Sequence, residues 1–344
     1  MEIGNIEMWG RNNMDIGIIG YGGVSKAFIT LLADKEEYLK EKYNLTIRVK
    51  YIIKSDGGLY HSEGLNLKEI SNMQQPIQLH RYWSKININD IISSHDVDTI
   101  VELTNTNIET GEPGLTHIKK ALNNKINVVT GNKGPILLKY KELKAIADDK
   151  GVKLMVGCTT GGALPTIMAG IYDIAGAEIK YIEGILNGTT NYILSEMADN
   201  YLDYEEALLK AQSMGIAELD PSLDVEGYDT ACKIIILANV LFNKELKLAD
   251  VNIEGITNVS KDYLRELKAS SRKLKLIGRI DNERGLKAEV KLEEINSEHP
   301  LYSVDYKNKG IYYNTDTLGE ISVIGGASGT INAAASILRD IIMI

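Results

Sequence analysis

The stretch MDIGIIGYGGVSKAFITLLADK, residues 14–35, decides the fold of the chain. Its apolar start predicts a buried strand, three closely spaced glycines predict a turn, and the remaining residues have the apolar spacing of a helix. Glycines in such a turn let the backbone approach a pyrophosphate, which the N-terminus of the helix attracts. Ser25 stands where the usual fingerprint has its third glycine, so a purely structural turn is the alternative. We expect a dinucleotide site with contacts from Gly20, Gly22, Gly23 and Val24.

Strands and helices alternate along the first part of the chain. Apolar runs such as VDTIVELTN and INVVTGNKG are separated by stretches with helical spacing, which predicts a parallel sheet covered on both faces. Later residues combine helices with short strands such as KLIGRI and LKAEVKLEEI, which predicts an antiparallel or mixed sheet. The predicted fold class is therefore α/β, with a Rossmann-like nucleotide domain and an α+β domain built on a mixed sheet.

These patterns divide the chain into four predicted segments. Residues 1–13 form an N-terminal extension without a catalytic part, and residues 14–155 form the dinucleotide-binding domain. Residues 156–318 form the substrate-binding, catalytic and dimerisation domain. Residues 319–344 form a C-terminal segment whose helix returns to the nucleotide domain.

Composition narrows the class of protein. A chain of 344 residues exceeds one ordinary core, and 44% hydrophobic with 25% charged residues is typical of a soluble globular protein. The net charge of −9 argues against a nucleic-acid partner, and no apolar run is long enough to cross a membrane. Cys158 and Cys232 lie far apart without metal-ligand spacing, so we expect a reducing, cytoplasmic setting.

The end of the second predicted strand indicates the choice of cofactor. An acid there normally binds the ribose 2′-hydroxyl of NAD and repels the 2′-phosphate of NADP. Lys54 followed by Ser55 holds that place here, and a cation with a hydroxyl favours NADP. NAD stays open, because Asp56 can reach the ribose and Lys54 alone can be an exposed lysine at a strand end.

Polar residues follow two further strands of the predicted parallel sheet. Thr104 comes directly after one strand, and Lys133 follows the next in the segment TGNK. The carboxyl ends of strands are where ligands bind in open α/β sheets. A lysine at this edge can meet a nicotinamide, a substrate oxygen or a carboxylate. The turn at residues 184–191, GILNGTTN, is either a helix cap or part of a site.

The segment AELDPSLDVEGYDTACK, residues 217–233, places five carboxylates and one lysine before an apolar helix. Asp229 and Lys233 are four residues apart, so they share one face of that helix. A single surface pair of this kind contributes only a few tenths of a kcal/mol. The density of charge at the entrance of an otherwise apolar helix therefore indicates a functional site.

Four segments, taken together, resemble the homoserine dehydrogenase family: VVTGNKGP, GCTTGGALP, GILNGTTNYIL and GIAELDPSLDVEGYDTACK. The resemblance extends from Ile16 to the last helix, is most specific in the second half, and fits the short form without an aspartokinase or a C-terminal regulatory domain. It implies NAD(P)-dependent interconversion of L-aspartate 4-semialdehyde and L-homoserine in threonine, methionine and isoleucine biosynthesis. It also implies a homodimer formed through the sheet of the second domain.

The resemblance also implies roles for individual residues. The substrate amino group would lie near Glu218 and Asp229, and Lys233 would act on the reacting oxygen while Asp224 orients the lysine and water. Lys133 would serve catalysis, substrate and cofactor at the nicotinamide end. The remaining cofactor positions implied by the resemblance are Thr104, Gly215 and Gly326.

A sodium ion is a further candidate ligand. The family binds it through backbone oxygens, which correspond here to Thr160, Gly162 and Leu164. Gly157 stands where the family has a glutamate, and the loss of that carboxylate weakens a site for a hard cation.

Two other classes of protein remain as alternatives. Oxidoreductases of the glucose–fructose oxidoreductase type also pair a nucleotide domain with a mixed sheet, but in them proline directly follows the lysine, whereas Gly134 intervenes here. A non-catalytic nucleotide-sensing protein should have lost its catalytic groups, yet Lys133, Asp229 and Lys233 are all present.

Overall fold

The computed structural model describes residues 13–326 and 328–344. The predicted N-terminal extension lies outside the described residues except for Asn13, which begins the first strand. The chain forms two compact units, one comprising the residues up to Cys158 together with Gly329–Ile344, the other Thr159–Ser328. The domain boundaries expected at residues 155 and 318 stay predictions.

The first unit alternates strands with helices. Its strands are β1 (Asn13–Ile19), β2 (Thr46–Lys54), β3 (Gly57–Tyr60), β4 (Trp83–Ser84), β5 (Thr99–Glu102), β6 (Asn127–Thr130) and β7 (Leu154–Met155). Its helices are α1 (Gly23–Tyr43), α2 (Leu67–Ser71), α3 (Ile88–Ser94), α4 (Gly114–Asn123) and α5 (Lys133–Lys150), with a 3₁₀ turn at Ile77–Leu79. The predicted strand–turn–helix at residues 14–35 is thus formed by β1 and α1.

The strands of the first unit form one sheet in the order β4-β3-β2-β1-β5-β6-β7. The five strands from β2 to β7 pair in parallel, as predicted, because helices connect them across the faces of the sheet. The antiparallel edge strands β3 and β4 were not predicted. The valine-rich run before Cys158 forms only the two-residue strand β7.

The second unit begins within the short helix α6 (Cys158–Gly161) and contains a mixed sheet. Its other helices are α7 (Thr166–Met168), a π-helical turn at Ala169–Asp173, α8 (Gly188–Asn200), α9 (Tyr204–Ser213), α10 (Ser222–Val225), α11 (Tyr228–Leu241), a 3₁₀ turn at Leu248–Asp250 and α12 (Lys261–Ala269). Its strands are β8 (Ile179–Ile185), β9 (Asn252–Ile253), β10 (Lys273–Asp281), β11 (Lys287–Ile295), β12 (Lys309–Thr315) and β13 (Glu320–Gly325).

The sheet of the second unit has the order β13-β12-β8-β10-β11-β9, with only β11 and β9 parallel. Helices α8, α11 and α12 pack on β10, and α11 also packs on β11. The predicted α/β class, with a parallel-sheet nucleotide domain and a mixed-sheet second domain, is confirmed. Within the described ranges, no helix is both long and apolar enough to cross a membrane.

The last helix, α13 (Thr330–Ile342), packs on α1 in the first unit. Ile337 and Ile341 are buried in the same core as Phe28 of α1. Asp340 on the same helix is fully buried, and its Oδ2 accepts a hydrogen bond of 2.8 Å from the Gly157 amide. Its Oδ1 finds no hydrogen-bond donor among the described residues. Burial accordingly raises the pKa of Asp340 to about 7, despite the opposing effect of Arg339.

Asp340 should therefore make stability fall with rising pH. Its folded-state pKa of about 7 exceeds the ordinary 3.8. Between pH 3.8 and pH 7 the carboxyl is therefore protonated in the folded chain and ionised in the unfolded chain, and the free energy of unfolding falls as the pH rises through this range. Each unit of pKa corresponds to about 1.4 kcal/mol, and 1 kcal/mol to about 2–4 °C in a domain of this size. We expect the Asp340→Asn variant to lack much of the wild type's decline in unfolding temperature from pH 5 to pH 8. Asp34→Asn, an exposed change on α1, should keep that decline, and an unchanged decline in Asp340→Asn would refute the assignment.

Candidate active site

The glycine turn between β1 and α1 passes close to the residues that follow β5. Gly20 has φ +98°, and a Cβ added there would lie 2.5 Å from the Leu103 carbonyl oxygen, so only glycine fits. Gly22 is the N-cap of α1, and a Cβ there would meet nothing within 4 Å. In the described part of the chain no side chain caps this helix, and its first turn has no acid. The amides that open α1 thus remain available for a phosphate, as a dinucleotide cofactor would need.

Lys54 ends β2 beside a polar cavity. Its Nζ lies 3.8 Å from Asp56 Oδ1, and Gln78 Nε2 donates a hydrogen bond of 3.0 Å to Asp56 Oδ2. The bond from Gln78, with a smaller effect of Lys54, lowers the pKa of Asp56. Lys54 and Lys26 both line a cavity of about 300 Å³ next to Tyr21 of the glycine turn. Two lysines in one cavity provide a cationic environment beside the predicted cofactor position.

The carboxyl ends of β5 and β6 are organised by one buried acid. Glu102 is fully buried, and its Oε1 accepts hydrogen bonds from the amide (3.1 Å) and the hydroxyl of Thr104. Asn132 Nδ2 donates to Thr104 Oγ1 at 3.3 Å, while its Oδ1 accepts from the Gly134 amide at 3.1 Å. Asn132 therefore caps α5 and fixes Lys133 as the first residue of that helix. The bonds of Glu102 were not predicted, because nothing in the sequence marks it as buried.

In the second unit, Asp229 and Lys233 form the ion pair that their spacing predicts. Both lie on α11, and Lys233 Nζ is 2.6 Å from Asp229 Oδ2. Their side chains are only 14% and 11% exposed, respectively, which limits screening by solvent. Lys233 Nζ also donates a hydrogen bond of 2.7 Å to the Leu186 carbonyl oxygen, just beyond β8. The ammonium is therefore held between a helix and the end of a central strand.

Asn187 joins the two acids of the site, a role that the sequence left open. Its Nδ2 donates to Asp224 Oδ1 at 2.6 Å and to Asp229 Oδ2 at 2.9 Å. Its Oδ1 accepts a hydrogen bond of 2.9 Å from the Thr190 amide and so caps α8. The turn at 184–191 was expected to be either a helix cap or part of a site, and the Asn187 side chain makes the contacts of both. It thereby links α8, α10 and α11.

The loop after α9 carries the other predicted substrate residue. Gly215 adopts φ +66°, a conformation that favours glycine, two residues after the end of α9. Gln212 Nε2 donates to the Glu218 carbonyl oxygen at 3.0 Å, and Thr189 Oγ1 donates to the Ile216 carbonyl oxygen at 3.1 Å. These bonds tie the loop to α8 and α9, while Glu218 itself remains exposed.

The turn predicted to bind sodium, residues 160–164, already has a cation of the protein beside it. Lys309 Nζ donates a hydrogen bond of 2.7 Å to the Gly161 carbonyl oxygen, and this lysine is only 5% exposed. A sodium ion placed about 4 Å from the ammonium would be repelled by about 4 kcal/mol at an effective dielectric constant of about 20. In the first unit, a side chain at Gly157 would collide with the Asp340 carboxylate, so a glutamate has no room there. The residues present do not fit a sodium site of the family's type.

The phosphate-type turn of one unit and the partly buried lysine–carboxylate pair of the other define a nicotinamide-dependent oxidoreductase. Two family models match the chain: "Homoserine dehydrogenase, NAD binding domain" over residues 20–157 and "Homoserine dehydrogenase" over residues 165–342. The chain belongs to the homoserine dehydrogenase family. It is accordingly an NAD(P)-dependent enzyme that interconverts L-aspartate 4-semialdehyde and L-homoserine, and the two alternative classes are set aside.

Individual relatives agree with this family over nearly the whole chain. Homoserine dehydrogenase of Methanocaldococcus jannaschii is 40% identical, with 96% of this chain and 98% of the relative covered. An enzyme of Pseudomonas canavaninivorans described as NAD(+)-dependent homoserine dehydrogenase is 31% identical, with 96% and 95% covered. The crystal structure of a homoserine dehydrogenase from Thiobacillus denitrificans has a TM-score of 0.82 at 26% identity, with 96% of this chain and 72% of that chain covered.

Proposed function

We propose that Lys233 exchanges a proton with the reacting oxygen of the substrate. The observation that carries this proposal is the double anchoring of its ammonium, by Asp229 Oδ2 at 2.6 Å and by the Leu186 carbonyl oxygen at 2.7 Å. A bound nicotinamide supplies the hydride in one direction and accepts it in the other. The chain's own contribution is a fixed, partly desolvated cation at the point where negative charge develops on oxygen.

In the direction of reduction, the aldehyde oxygen becomes negatively charged as its carbon is reduced. An ammonium next to that oxygen stabilises the charge and then donates a proton to give the alcohol. In the direction of oxidation, the same nitrogen receives the hydroxyl proton. Asp229 holds the lysine in place throughout, and Asp224 acts through Asn187, which donates to both carboxylates.

The substrate amino group would be bound by carboxylates of the second unit. Glu218 and Asp229 are the proposed partners, and Asp224 adds negative charge beside them. Of these, Glu218 is exposed and free to meet a ligand, whereas Asp229 is already shared with Lys233. The cofactor would be bound by the glycine turn of the first unit, with Thr104, Lys133, Gly215 and Gly326 as further contacts.

Asn187 offers a direct test of this arrangement, because its two roles can be separated. Serine is also a good N-cap, so Asn187→Ser should keep the cap of α8 while losing both bonds to the acids. Hydrogen bonds to charged groups contribute about 1.5–3 kcal/mol, so we expect kcat to fall by about tenfold or more with little change in unfolding temperature. Asn187→Ala should lose a similar factor in kcat and also about 1 kcal/mol of stability.

Steady-state kinetics and thermal unfolding of both variants decide between the two roles. Wild-type kcat in Asn187→Ser would mean that Asn187 is only a helix cap and that the acids need no bridging amide.

We further propose NADP as the preferred cofactor. The support is Lys54 at the end of β2, together with Lys26 in the same cavity, since both cations suit a 2′-phosphate. The relative described as NAD(+)-dependent keeps NAD as the alternative. Asp56, paired with Lys54, would then be the residue that serves the ribose.

A homodimer and a cytoplasmic location complete the proposal. The support for dimerisation through the second unit is the edge strand β13, where Ile324 is 47% exposed. Sedimentation velocity on the purified chain measures the state directly. The support for a reducing compartment is the sequence, in which the two cysteines, Cys158 and Cys232, lie far apart without metal-ligand spacing.

A further inference from the structure

Lys309 brings a buried cation to the turn that follows α6. It is the first residue of β12, it is 5% exposed, and its Nζ donates to the Gly161 carbonyl oxygen at 2.7 Å. A Cβ built on Gly162 would lie 3.5 Å from the same Nζ, so the ammonium lies against two consecutive residues of the turn. A buried charge is costly unless acceptors surround it. The lysine therefore depends on the acceptors of the turn, and the turn has a cation of the protein beside it.

The same turn is held by bonds that leave less room for an added ion. The Leu164 carbonyl oxygen accepts a hydrogen bond of 2.8 Å from the Thr166 amide, and the Leu164 amide donates to Gly161 at 3.2 Å. Thr160 and Thr166 share a hydroxyl–hydroxyl bond of 2.5 Å. Gly326, at φ +69°, would place a Cβ 2.5 Å from the Leu164 nitrogen, so the segment after β13 packs directly on this turn.

We propose that the Lys309 ammonium is the fixed cation of this turn and that the enzyme neither binds nor requires sodium there. An ammonium offers three N–H donors to carbonyl oxygens, which are also the ligands of hard cations, so the two can occupy equivalent positions. A tethered cation does not have to be recruited from solution, so it is present at any salt composition. The inference does not rest on the roles proposed for Lys233, since its main measurement is thermal unfolding.

The first arm of the test compares salts on the wild-type protein. Unfolding temperature and kcat are measured in sodium, potassium and choline chloride at equal ionic strength, choline being too large for the turn. We expect no difference among the three salts. A higher unfolding temperature or kcat specific to sodium would overturn the proposal, whatever the variants do.

The second arm removes the ammonium. Lys309→Ala should lower the unfolding temperature in choline chloride by several degrees, and sodium or methylammonium chloride should restore part of that loss. Lys307→Met, a change at an exposed lysine two residues earlier, should behave as the wild type in every salt. A Lys309→Ala protein as stable as the wild type in choline would also overturn the proposal. If that variant does not fold, the wild-type salt series and the ²³Na linewidth with and without protein still decide, since sodium binding contradicts the claim.

Discussion

The variant Lys233→Met should lose most of its turnover while binding the cofactor as the wild type does. Methionine keeps much of the length and bulk of the lysine but can neither donate a proton nor carry a charge. Loss of a positioned general acid typically costs about 100- to 10,000-fold in rate. Lys233 lies in the second unit, away in sequence from the glycine turn, so the dissociation constant of NADPH should change little. Initial rates of NADPH oxidation with aspartate 4-semialdehyde, together with a fluorescence titration of NADPH, measure both quantities.

Two further variants separate proton transfer from simple charge. Lys233→Arg keeps the cation, but a guanidinium does not give up its proton readily and has a different shape, so its kcat should stay low. Lys244→Met changes an exposed lysine beyond the end of α11 and should leave kcat unchanged. Wild-type turnover in Lys233→Met, with the protein shown to be folded, would remove Lys233 from the chemical step.

The second large effect concerns the cofactor. We expect the wild type to bind NADPH more tightly than NADH, and Lys54→Asp to narrow or invert that difference. A charge-assisted hydrogen bond to the 2′-phosphate contributes about 1.5–3 kcal/mol, which corresponds to roughly a ten- to hundred-fold preference. An aspartate at the end of β2 would add repulsion of the phosphate and could accept hydrogen bonds from the ribose.

Titration of NADPH and NADH into the wild type and Lys54→Asp provides the measurement. Lys85→Asp serves as the matched control, since it introduces the same charge change at an exposed lysine of the same unit. The ratio of its NADPH affinity to its NADH affinity should equal the ratio in the wild type. Equal affinities for the two cofactors in the wild type would show that Lys54 does not contact the 2′-phosphate.

The parts of the fold and site that sequence could predict are those set by local spacing. Strand, glycine turn and helix follow one another in residues 14–35, so β1 and α1 could be predicted from one short stretch. Asp229 and Lys233 are one helical turn apart, so their 2.6 Å ion pair follows from helix geometry. Asp203 is the N-cap of α9 and forms a capping box with Glu206, another feature set by residues only three positions apart.

The parts that could not be predicted depend on contacts between distant residues. The hydrogen bond from Lys309 to Gly161 spans 148 positions, and that from Gly157 to Asp340 spans 183. Lysine and aspartate are usually exposed, so the residue types alone predict neither that Lys309 and Asp340 are buried nor which residues they contact. Asn187 lies between these cases: its capping role could be expected from the residue type, but its bonds to Asp224 and Asp229 required the packing of α8 against α10.

The central claim is that the acids of the second unit bind an amino aldehyde, and that Lys233 protonates its oxygen when hydride from the bound nicotinamide reduces the carbonyl carbon. Its most direct test is the ratio of kcat/KM for L-aspartate 4-semialdehyde and for succinate semialdehyde, which lacks the amino group, measured with NADPH on the wild type and on Glu218→Gln. A charged hydrogen bond of about 1.5–3 kcal/mol predicts a ratio of roughly ten to a hundred or more in the wild type, reduced in Glu218→Gln mainly through a higher KM for the amino aldehyde. Equal kcat/KM for the two aldehydes in the wild type would contradict the claim.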